Sequence, residues 1–349
     1  MKRWFEGPMA LALAALLAGC GSLPRINPDM ARRNGAPVQL DGAGGSLSAQ
    51  QSKAVLDRLK SRGPEATLLD RHLAFEEAVS GSPLTTGNKV TLLVDGPKTY
   101  EAMFDAIASA RHHINMETYI LEDDEVGKRF ADTLPAKQAA GVQVNAMYDS
   151  VGALDTPKAF FQRLTDGGIK VREYNPVNPL AAKAGWDVNE RDHRKMLVVD
   201  GQIVILGGIN ISNYFPTQRP GGNDVVRAIG STPDEPCSQI YATLISAIQH
   251  AQTDILLTNA YFVPDPQLLA SLKEAAGRGV EVKLMLPSHS DSWLVLNAGR
   301  RYYGELLRSG VKLYERRDAL LHSKTAVIDG VWSTVGSTNL GSAGRSTRA

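Results

Sequence analysis

Hydrophobic and polar positions change their period several times along the chain, and these changes predict an α/β fold. Helical spacing over residues 48–61 and 67–80 comes first, and short alternating runs predict strands at 89–94, 113–121, 142–148 and 169–174. Segments with helical spacing separate these runs. Strands that alternate with helices in this way are typical of an α/β domain.

A repeat divides this pattern into two similar halves. The sequence around residue 114 matches that around 255, and the sequence around 142 matches that around 280. FFQRLTDGGIKVREY then matches YYGELLRSGVKLYER, and each copy ends in a His-x-Lys stretch. Matching blocks in one fixed order indicate a duplication. We therefore expect a first half over residues 48–222 and a second half over 223–349.

The first 47 residues follow a different pattern. Lys2 and Arg3 precede an apolar stretch from Met9 to Cys20, which is too short to span a membrane and indicates an export signal over residues 1–20. Its end, LAGC, resembles a bacterial lipoprotein signal, which implies a lipidated Cys20. A plain signal peptide or a buried Ala/Leu-rich helix are the alternatives. Residues 21–47, rich in Pro, Gly, Ser and Asn, predict a flexible tether.

Composition indicates a globular protein without a broad basic face. The 349 residues are 43% hydrophobic and 21% charged, and 38 Lys plus Arg balance 37 Asp plus Glu. Nucleic acid is therefore not an expected partner, because binding it over a broad surface needs a basic excess. Cys237 is the second of only two cysteines. A lipidated Cys20 would leave no intramolecular disulfide.

The two His-x-Lys stretches agree position by position. The matched pairs are His193 and His322, Lys195 and Lys324, Asp200 and Asp329, Gly201 and Gly330, Gly207 and Gly336, and Asn210 and Asn339. A single histidine beside a lysine on a strand is usually ordinary solvated surface. Polar identities that recur at the same spacing in both copies favour a functional site instead.

Strand alternation assigns a place to each motif residue. His193 and Lys195 project from one face, whereas Asp200 lies an odd number of residues away and is expected to be structural. The Asp-Gly pairs at 200–201 and 329–330 predict two-residue hairpin turns. Pairing through these turns places Gly208 opposite His193 and, in the second copy, Ser337 opposite His322. Asn210 and Asn339 then emerge on the side that carries His and Lys.

Each half would thus bring an imidazole, an ammonium and a carboxamide to one patch. Lysine and asparagine donors suit the non-bridging oxygens of a phosphoryl group. Histidine titrates near neutrality, so one imidazole can attack phosphorus while the other protonates the leaving oxygen. No metal ion or other cofactor is expected, because the histidines lack carboxylate or cysteine neighbours at ligand spacing.

These motifs resemble a known family. His193-x-Lys195-x4-Asp200 and His322-x-Lys324-x4-Asp329, followed by GGIN and GSTN, resemble the HKD motifs of the phospholipase D superfamily. ETYIL, DHRKMLVVDG, LGGINIS, NAYFVPD and GSTNL are similar to bacterial cardiolipin synthases and their phospholipase D-like relatives. The resemblance implies a duplicated fold of two packed α/β halves, each a mixed sheet flanked by helices, with the active site at their interface.

The resemblance also implies roles for the motif residues. One of His193 and His322 becomes a phosphohistidine and the other acts as general acid, without the sequence deciding which. The catalytic set it implies is His193, Lys195, Asp200, His322, Lys324 and Asp329, and the phosphate-binding set is Asn210, Asn339, Gly208 and Ser337. The expected substrate is phosphatidylglycerol, at a bacterial envelope membrane that the protein reaches through Cys20 and faces from the periplasm.

Several functions stay open at this point. The first is a phosphatidyltransferase that makes cardiolipin, and its near variant is a hydrolytic phospholipase D. A nuclease is a further alternative, which the near-zero net charge argues against. The last alternative is a lipid-binding protein without catalytic activity. Family members carry longer segments after each motif, whereas only NYFPTQRPGG separates Ser212 from Asn223. We therefore expect that the chain lacks a segment between the halves and the end of the second half, and with them the carboxylates that orient the two histidines.

Overall fold

The computed structural model describes most of the two halves. The described residues are 38–60, 72–73, 75–77, 79–93, 95–177, 191–212, 223–230, 238–290, 292–317 and 321–339. The predicted signal at 1–20 with Cys20, the tether up to residue 37, and Cys237 lie outside the described residues.

The elements alternate between strand and helix, as the sequence predicts. The strands are β1 (Leu40–Gly42), β2 (Gly45–Ser46), β3 (Leu84–Lys89), β4 (His113–Thr118), β5 (Gln143–Asp149), β6 (Lys170–Tyr174), β7 (Met196–Val199), β8 (Ile203–Leu206), β9 (Asn223–Val226), β10 (Asp254–Asn259), β11 (Glu281–Pro287), β12 (Lys312–Arg316), β13 (Lys324–Ile328) and β14 (Trp332–Val335). The helices are α1 (Ala49–Lys60), α2 (Gly96–Ser109), α3 (Glu125–Ala139), α4 (Lys158–Asp166), α5 (Gln239–His250), α6 (Pro266–Gly277), α7 (Trp293–Arg300) and α8 (Tyr303–Arg308). Residues 72–73, 75–77 and 79–80 are helical as well.

The two main sheets have the same topology. Their strand orders are β6-β5-β4-β7-β8 and β12-β11-β10-β13-β14. In each sheet the first three strands are parallel, and the hairpin that carries the motif joins antiparallel to β4 or β10. The duplication and the mixed α/β sheets expected from the sequence are therefore confirmed.

Each half has its own apolar core. Helix α2 shows how the sequence builds it: Asp95 caps the helix by accepting from the backbone N–H of Lys98, and Tyr100, Phe104 and Ile107 recur at helical spacing on the buried face. These side chains pack against the sheet through fully buried residues such as Ile114 of β4. Burying one such side chain contributes roughly 1.5–3 kcal/mol.

A third, smaller sheet joins the N-terminal region to the rest of the fold. Its order is β2-β1-β3-β9, so residues 40–46, which we expected in the tether, form a hairpin instead. The reason is Leu40, which is fully buried against Leu73 and Leu84. The strand predicted at 89–94 was also misplaced: β3 ends at Lys89, and residues 90–93 are not strand.

Buried polar contacts tie this N-terminal region to the second half. His72 is fully buried, with its ring nitrogens 3.2 Å from Ser246 Oγ of α5 and 3.2 Å from Glu76 Oε1. The indole N–H of Trp332, on β14, donates to the same Glu76 oxygen at 3.1 Å. Because buried polar groups are costly unless they are paired, this set fixes one arrangement of the two regions.

Both Asp-Gly turns form, but each contains one residue more than predicted. Asp200 and Asp329 adopt positive φ angles of 53° and 52°, as the first position of such a turn requires. The N–H of Gln202 closes the first turn on Val199, yet strand pairing resumes only at Ile203. The register is therefore shifted by one residue in both copies. The predicted pairings of Gly208 with His193 and of Ser337 with His322 are wrong.

The two turn aspartates reach back to the start of the neighbouring strand. Asp200 accepts the backbone N–H groups of residues 111–113 at 2.8–2.9 Å. Asp329 accepts the equivalent N–H groups of residues 252–254 at 2.8–3.2 Å. The hydrogen bond from His113, followed by that from Arg111, lowers the pKa of Asp200 to about 2. Each aspartate thus ties the motif hairpin to the helix–strand junction before β4 or β10.

Replacing Asp200 by Asn should therefore destabilise the fold. The amide keeps the size of the side chain but loses the negative charge that three N–H donors stabilise. Because the folded pKa is depressed, the stabilisation is present above the unfolded pKa and is lost as pH falls through about 2. Thermal unfolding at pH 7 should show a lower Tm for Asp200→Asn than for wild type.

The matched control is Asp105→Asn, which changes an exposed carboxylate on α2. Equal Tm values for the two variants would contradict a structural role for Asp200.

Candidate active site

The two motif ends meet where the halves face each other. Lys195 lies directly before β7, and Lys324 opens β13. His193, Lys195 and Lys324 are buried, and His322 is partly exposed. Contacts between the halves bring these four side chains into one cleft.

Each motif histidine is bonded to the backbone of the opposite half. His322 Nδ1 lies 3.1 Å from the carbonyl oxygen of Gly208. The His193 ring interacts in the same way with the backbone of Ser337, a contact that favours its protonated form. A carbonyl oxygen only accepts, so Nδ1 of His322 must carry the proton and Nε2 keeps its lone pair. The contact with Gly208 therefore holds the His322 ring in the tautomer whose Nε2 carries the lone pair.

Gly208 and Ser337 thus occupy a different place from the one predicted. We expected each beside the histidine of its own half, as a phosphate contact, whereas each meets the histidine of the other half. A Cβ at Gly208 would lie 3.4 Å from the carbonyl oxygen of His322, which is an ordinary van der Waals contact. We expected the carboxylates that orient the two histidines to be missing, and in the described residues the backbones of Gly208 and Ser337 contact the two rings.

The lysines and two tyrosines complete a similar set in each half. Lys195 Nζ donates to the His193 carbonyl at 2.5 Å, and Lys324 Nζ donates to the His322 carbonyl at 2.9 Å. The Tyr119 ring lies 4.7 Å from the His193 ring and 5.0 Å from Lys195 Nζ. Tyr261 holds the matching place beside His322, at 5.9 Å. Both tyrosines therefore line the cleft.

The cleft concentrates positive charge. Burial lowers the pKa of His193 well below its usual value, and the charges of Lys195 and Lys324 add to that effect. Burial likewise lowers the pKa of Lys195, with a further contribution from Lys324. An anion bound between the lysines would relieve both effects. The electrostatics therefore suit a phosphoryl group.

The two asparagines differ in their surroundings. Asn210 is 3% exposed, and its side-chain oxygen accepts from the backbone N–H of Ile120 at 3.2 Å, so its amide N–H groups are the part left to donate. The hydroxyl of Tyr100 lies 2.6 Å from the Asn210 carbonyl and holds this segment in place. The side-chain oxygen of Asn339 is buried, with no hydrogen-bond partner among the described residues. Sequence patterning gave no role to Tyr100.

In the described residues, a group of buried charged side chains lies beside the first half-site, and the matching positions of the second half are uncharged. Asp149 is fully buried and accepts from the backbone N–H of Asp192 at 2.7 Å. Arg194 binds Asp192 at 3.0 Å and Glu117 at 2.8 Å. The sheet register places Pro287, Thr258 and Leu321 at the positions of Asp149, Glu117 and Asp192 in the second half. A comparison of the two copies residue by residue could have revealed this difference.

The pKa values of the two carboxylates beside Arg194 are shifted in opposite directions. Burial, followed by the hydrogen bond and charge of Asp192, raises the pKa of Glu117 to about 7. Burial works to raise the pKa of Asp192 as well, but hydrogen bonds from Arg194 and Glu117 hold it below its usual value. Glu117 is therefore the protonated partner near neutrality.

Asp200 and Asp329 lie apart from these groups. The four residues of β7 separate Asp200 from Lys195, and these five steps along the chain span about 17 Å at the usual rise of a strand. Both aspartates sit at the turns, where they bind backbone N–H groups. Their inclusion with the catalytic residues is corrected: the motif contains them, but their side chains do not reach the cleft.

Comparisons with known proteins agree with this architecture. A family described as cardiolipin synthase, PLD-like domain, matches residues 103–214 and 244–348. The cardiolipin synthase of Geobacillus thermodenitrificans (strain NG80-2) is 29% identical over 341 residues, which cover 83% of this chain and 66% of that protein. The cardiolipin synthase of Listeria monocytogenes serotype 4b (strain F2365) is 31% identical over 310 residues, covering 74% and 64%. The chain thus spans about two thirds of the length of these relatives.

A solved structure shows the same fold. The phosphatidylserine synthase of Haemophilus influenzae Rd KW20 superposes with a TM-score of 0.53 at 13% sequence identity, covering 74% of this chain and 80% of that one. Identity this low supports the fold alone. The family match covers more than half of the chain, in two parts that correspond to the two structural halves. The chain therefore belongs to the phospholipase D-like family of cardiolipin synthases.

Proposed function

We propose that this protein is a phosphatidyltransferase that joins two phosphatidylglycerol molecules into cardiolipin and releases glycerol. The observation that carries the proposal is the pairing of the histidines across the cleft, each held by a carbonyl of the other half with a buried lysine beside it. Two imidazoles in one cleft, each with a lysine beside it, match the needs of phosphodiester transfer. The names of the relatives indicate which phosphodiester.

The reaction would proceed in two balanced steps. In the first, Nε2 of one histidine attacks phosphorus, the bond from phosphorus to the glycerol oxygen breaks, and the other histidine gives that oxygen its proton. In the second, the hydroxyl of another phosphatidylglycerol attacks the phosphohistidine and returns a proton to the second histidine. Lys195, Lys324, Asn210 and Asn339 would hold the non-bridging oxygens in both steps. Water in place of the second lipid would give hydrolysis.

The organisation of the whole chain is also a proposal. Residues 48–222 and 223–349 would form the two halves, and a lipidated Cys20 would tether them to the periplasmic side of an envelope membrane. In the part of the chain that the structure describes, no helix is both long and apolar enough to cross a bilayer. Membrane contact would then come from the N-terminal anchor and from the protein surface.

Product analysis tests the activity. Wild type incubated with phosphatidylglycerol vesicles should form cardiolipin, detected by lipid mass spectrometry. His193→Ala and His322→Ala should each lower the rate by at least about 10³-fold, because either change removes a nucleophile or a proton donor. The matched control is His112→Ala, an exposed histidine at the other end of β4, which should retain the wild-type rate.

Each other outcome has a definite meaning. Phosphatidic acid as the sole product, dependent on both histidines, would replace the transferase by a hydrolase. Cardiolipin formation that survives either alanine variant would contradict the two-histidine mechanism. Labelled phosphate trapped on one histidine during turnover would identify the nucleophile.

The buried carboxylate pair gives a prediction for pH. The pKa of Glu117 is raised to about 7, so its stabilising contribution is fully present below the unfolded pKa and is lost as pH rises through about 7. Glu117→Gln mimics the protonated acid and does not titrate. The Tm of Glu117→Gln relative to wild type should therefore be higher at pH 8 than at pH 5.5. Glu125→Gln, at an exposed position of α3, is the control and should show no such change.

A Tm difference between Glu117→Gln and wild type that is the same at both pH values would show that Glu117 does not change protonation in this range.

A further inference from the structure

Three large apolar side chains stand out of the surface near the cleft. Leu154, Trp293 and Leu294 expose 64%, 73% and 72% of their surface, the largest values for large apolar residues in the described part of the chain. Leu154 lies in the loop after β5, and Trp293 and Leu294 open helix α7 after β11. β5 and β11 hold equivalent positions in the two sheets. The exposed residues therefore follow the repeat.

These residues lie at the edge of the sheets that carries the catalytic groups. In the second half, Asn259 at the end of β10 pairs with Lys324, and β11 runs parallel to β10 and ends beside it at Pro287. In the first half, Glu117 near the end of β4 pairs with Met196, the neighbour of Lys195. Both exposed segments thus leave their sheets beside the mouth of the cleft.

Close backbone packing fixes both segments to the site. A Cβ at Gly152 would lie 2.0 Å from the carbonyl oxygen of Tyr119, and one at Gly299 would lie 2.2 Å from that of Phe262. Neither glycine can carry a side chain without moving this contact. Tyr119 flanks His193, and Phe262 follows the tyrosine that flanks His322. The apolar tips are therefore held at fixed positions around the cleft rather than on free loops.

Three arginines lie on the elements next to Trp293 and Leu294 in the second half. Arg316 ends β12 beside Pro287, and Arg317 follows it; both side chains are exposed. Arg300 reaches back to the carbonyl oxygen of Ser288 at 3.0 Å and also binds Glu315. Among the described residues, no ion pair includes Arg316 or Arg317. Exposed apolar side chains with arginines on the neighbouring elements suit the interface of an anionic bilayer, where apolar groups enter the headgroup region and cations meet phosphate.

We propose that Leu154, Trp293 and Leu294 form a membrane-docking surface that seats the mouth of the cleft on an anionic phospholipid bilayer. The role of this surface in delivering substrate rests on the proposed function. A substrate with two acyl chains is costly to move into water, so a cleft that opens onto the bilayer can take the headgroup while the chains stay in lipid. Arg316 and Arg317 would bind lipid phosphates at the rim.

A fluorophore at position 294 tests the docking directly. The full chain with Cys20→Ala, Cys237→Ser and Leu294→Cys carries a single thiol for an environment-sensitive dye. On phosphatidylglycerol vesicles the dye should shift to the blue and be quenched by lipids brominated on their acyl chains. The shift should be smaller on phosphatidylcholine vesicles and with Arg316→Glu/Arg317→Glu. The matched control is Leu307→Cys, an exposed leucine on α8 toward the opposite edge of the sheet.

Three outcomes would overturn the proposal. The dye at position 294 could show the same emission wavelength with vesicles as in buffer, although the protein sediments with the vesicles. That result would place the membrane contact elsewhere. The dye at position 307 could respond equally, which would show nonspecific adsorption. A blue shift that grows with protein concentration in the absence of vesicles would identify a second copy of the chain as the occupant.

A kinetic comparison separates docking from chemistry. Trp293→Ser/Leu294→Ser should lower the rate on phosphatidylglycerol vesicles at least about tenfold, and it should lower the rate on monomeric short-chain phosphatidylglycerol far less. Leu307→Ser should behave as wild type on both. Equal losses on vesicles and monomers would contradict docking. Wild type inactive on both substrates would remove the proposed function, while the fluorophore would still decide whether the surface docks.

Discussion

The meeting of two lysines and two histidines in one cleft, with all but His322 buried, is the constraint on which the rest of the structure depends. Like charges in a poorly solvated place repel, and the lowered pKa values of His193 and Lys195 are the consequence. The fold tolerates this because each half is stabilised by its own core, away from the cleft. A bound anion would reduce the repulsion between these positively charged groups, so the cleft favours anion binding.

The same cleft cannot be completed by one half alone. The carbonyl of Gly208 holds His322, and the backbone of Ser337 contacts His193, so each half fixes the imidazole of the other. Because of this exchange, the geometry of the site depends on the relative position of the halves. The N-terminal region contributes to that position, because its buried His72 and Glu76 bind the second half.

The two halves resemble each other more closely in backbone topology than in the side chains at matched positions. The two sheets share strand order and register, yet the buried carboxylates Asp149 and Asp192 have no acidic counterparts in the second half. Lys195 therefore lies near negative charges at positions where the second half has proline and leucine. Two histidines in matched positions thus experience different fields, which suits a reaction that gives them different roles.

The sequence by itself determined the features that depend on local patterns. Residue periodicity located α1 and strands β4 to β6, the repeat revealed two similar halves, and matched spacing identified the His-Lys pairs. The turns at Asp200 and Asp329 followed from a preference of the Asp-Gly pair itself. Each of these depends on residues close together in the chain, or on a comparison of one copy with the other.

Tertiary structure alone decided the rest. The one-residue register shift, the hairpin at 40–46 and the partners of the two histidines are results of packing between distant segments. Gly208 and His322 are 114 residues apart, and Asp149 meets Asp192 across 43. Periodicity in the sequence shows which face of a strand is buried, but not what that face meets. The partners of the two histidines are set by the packing of the two halves against each other, because this packing brings the backbone of one half close enough to bind the imidazole of the other.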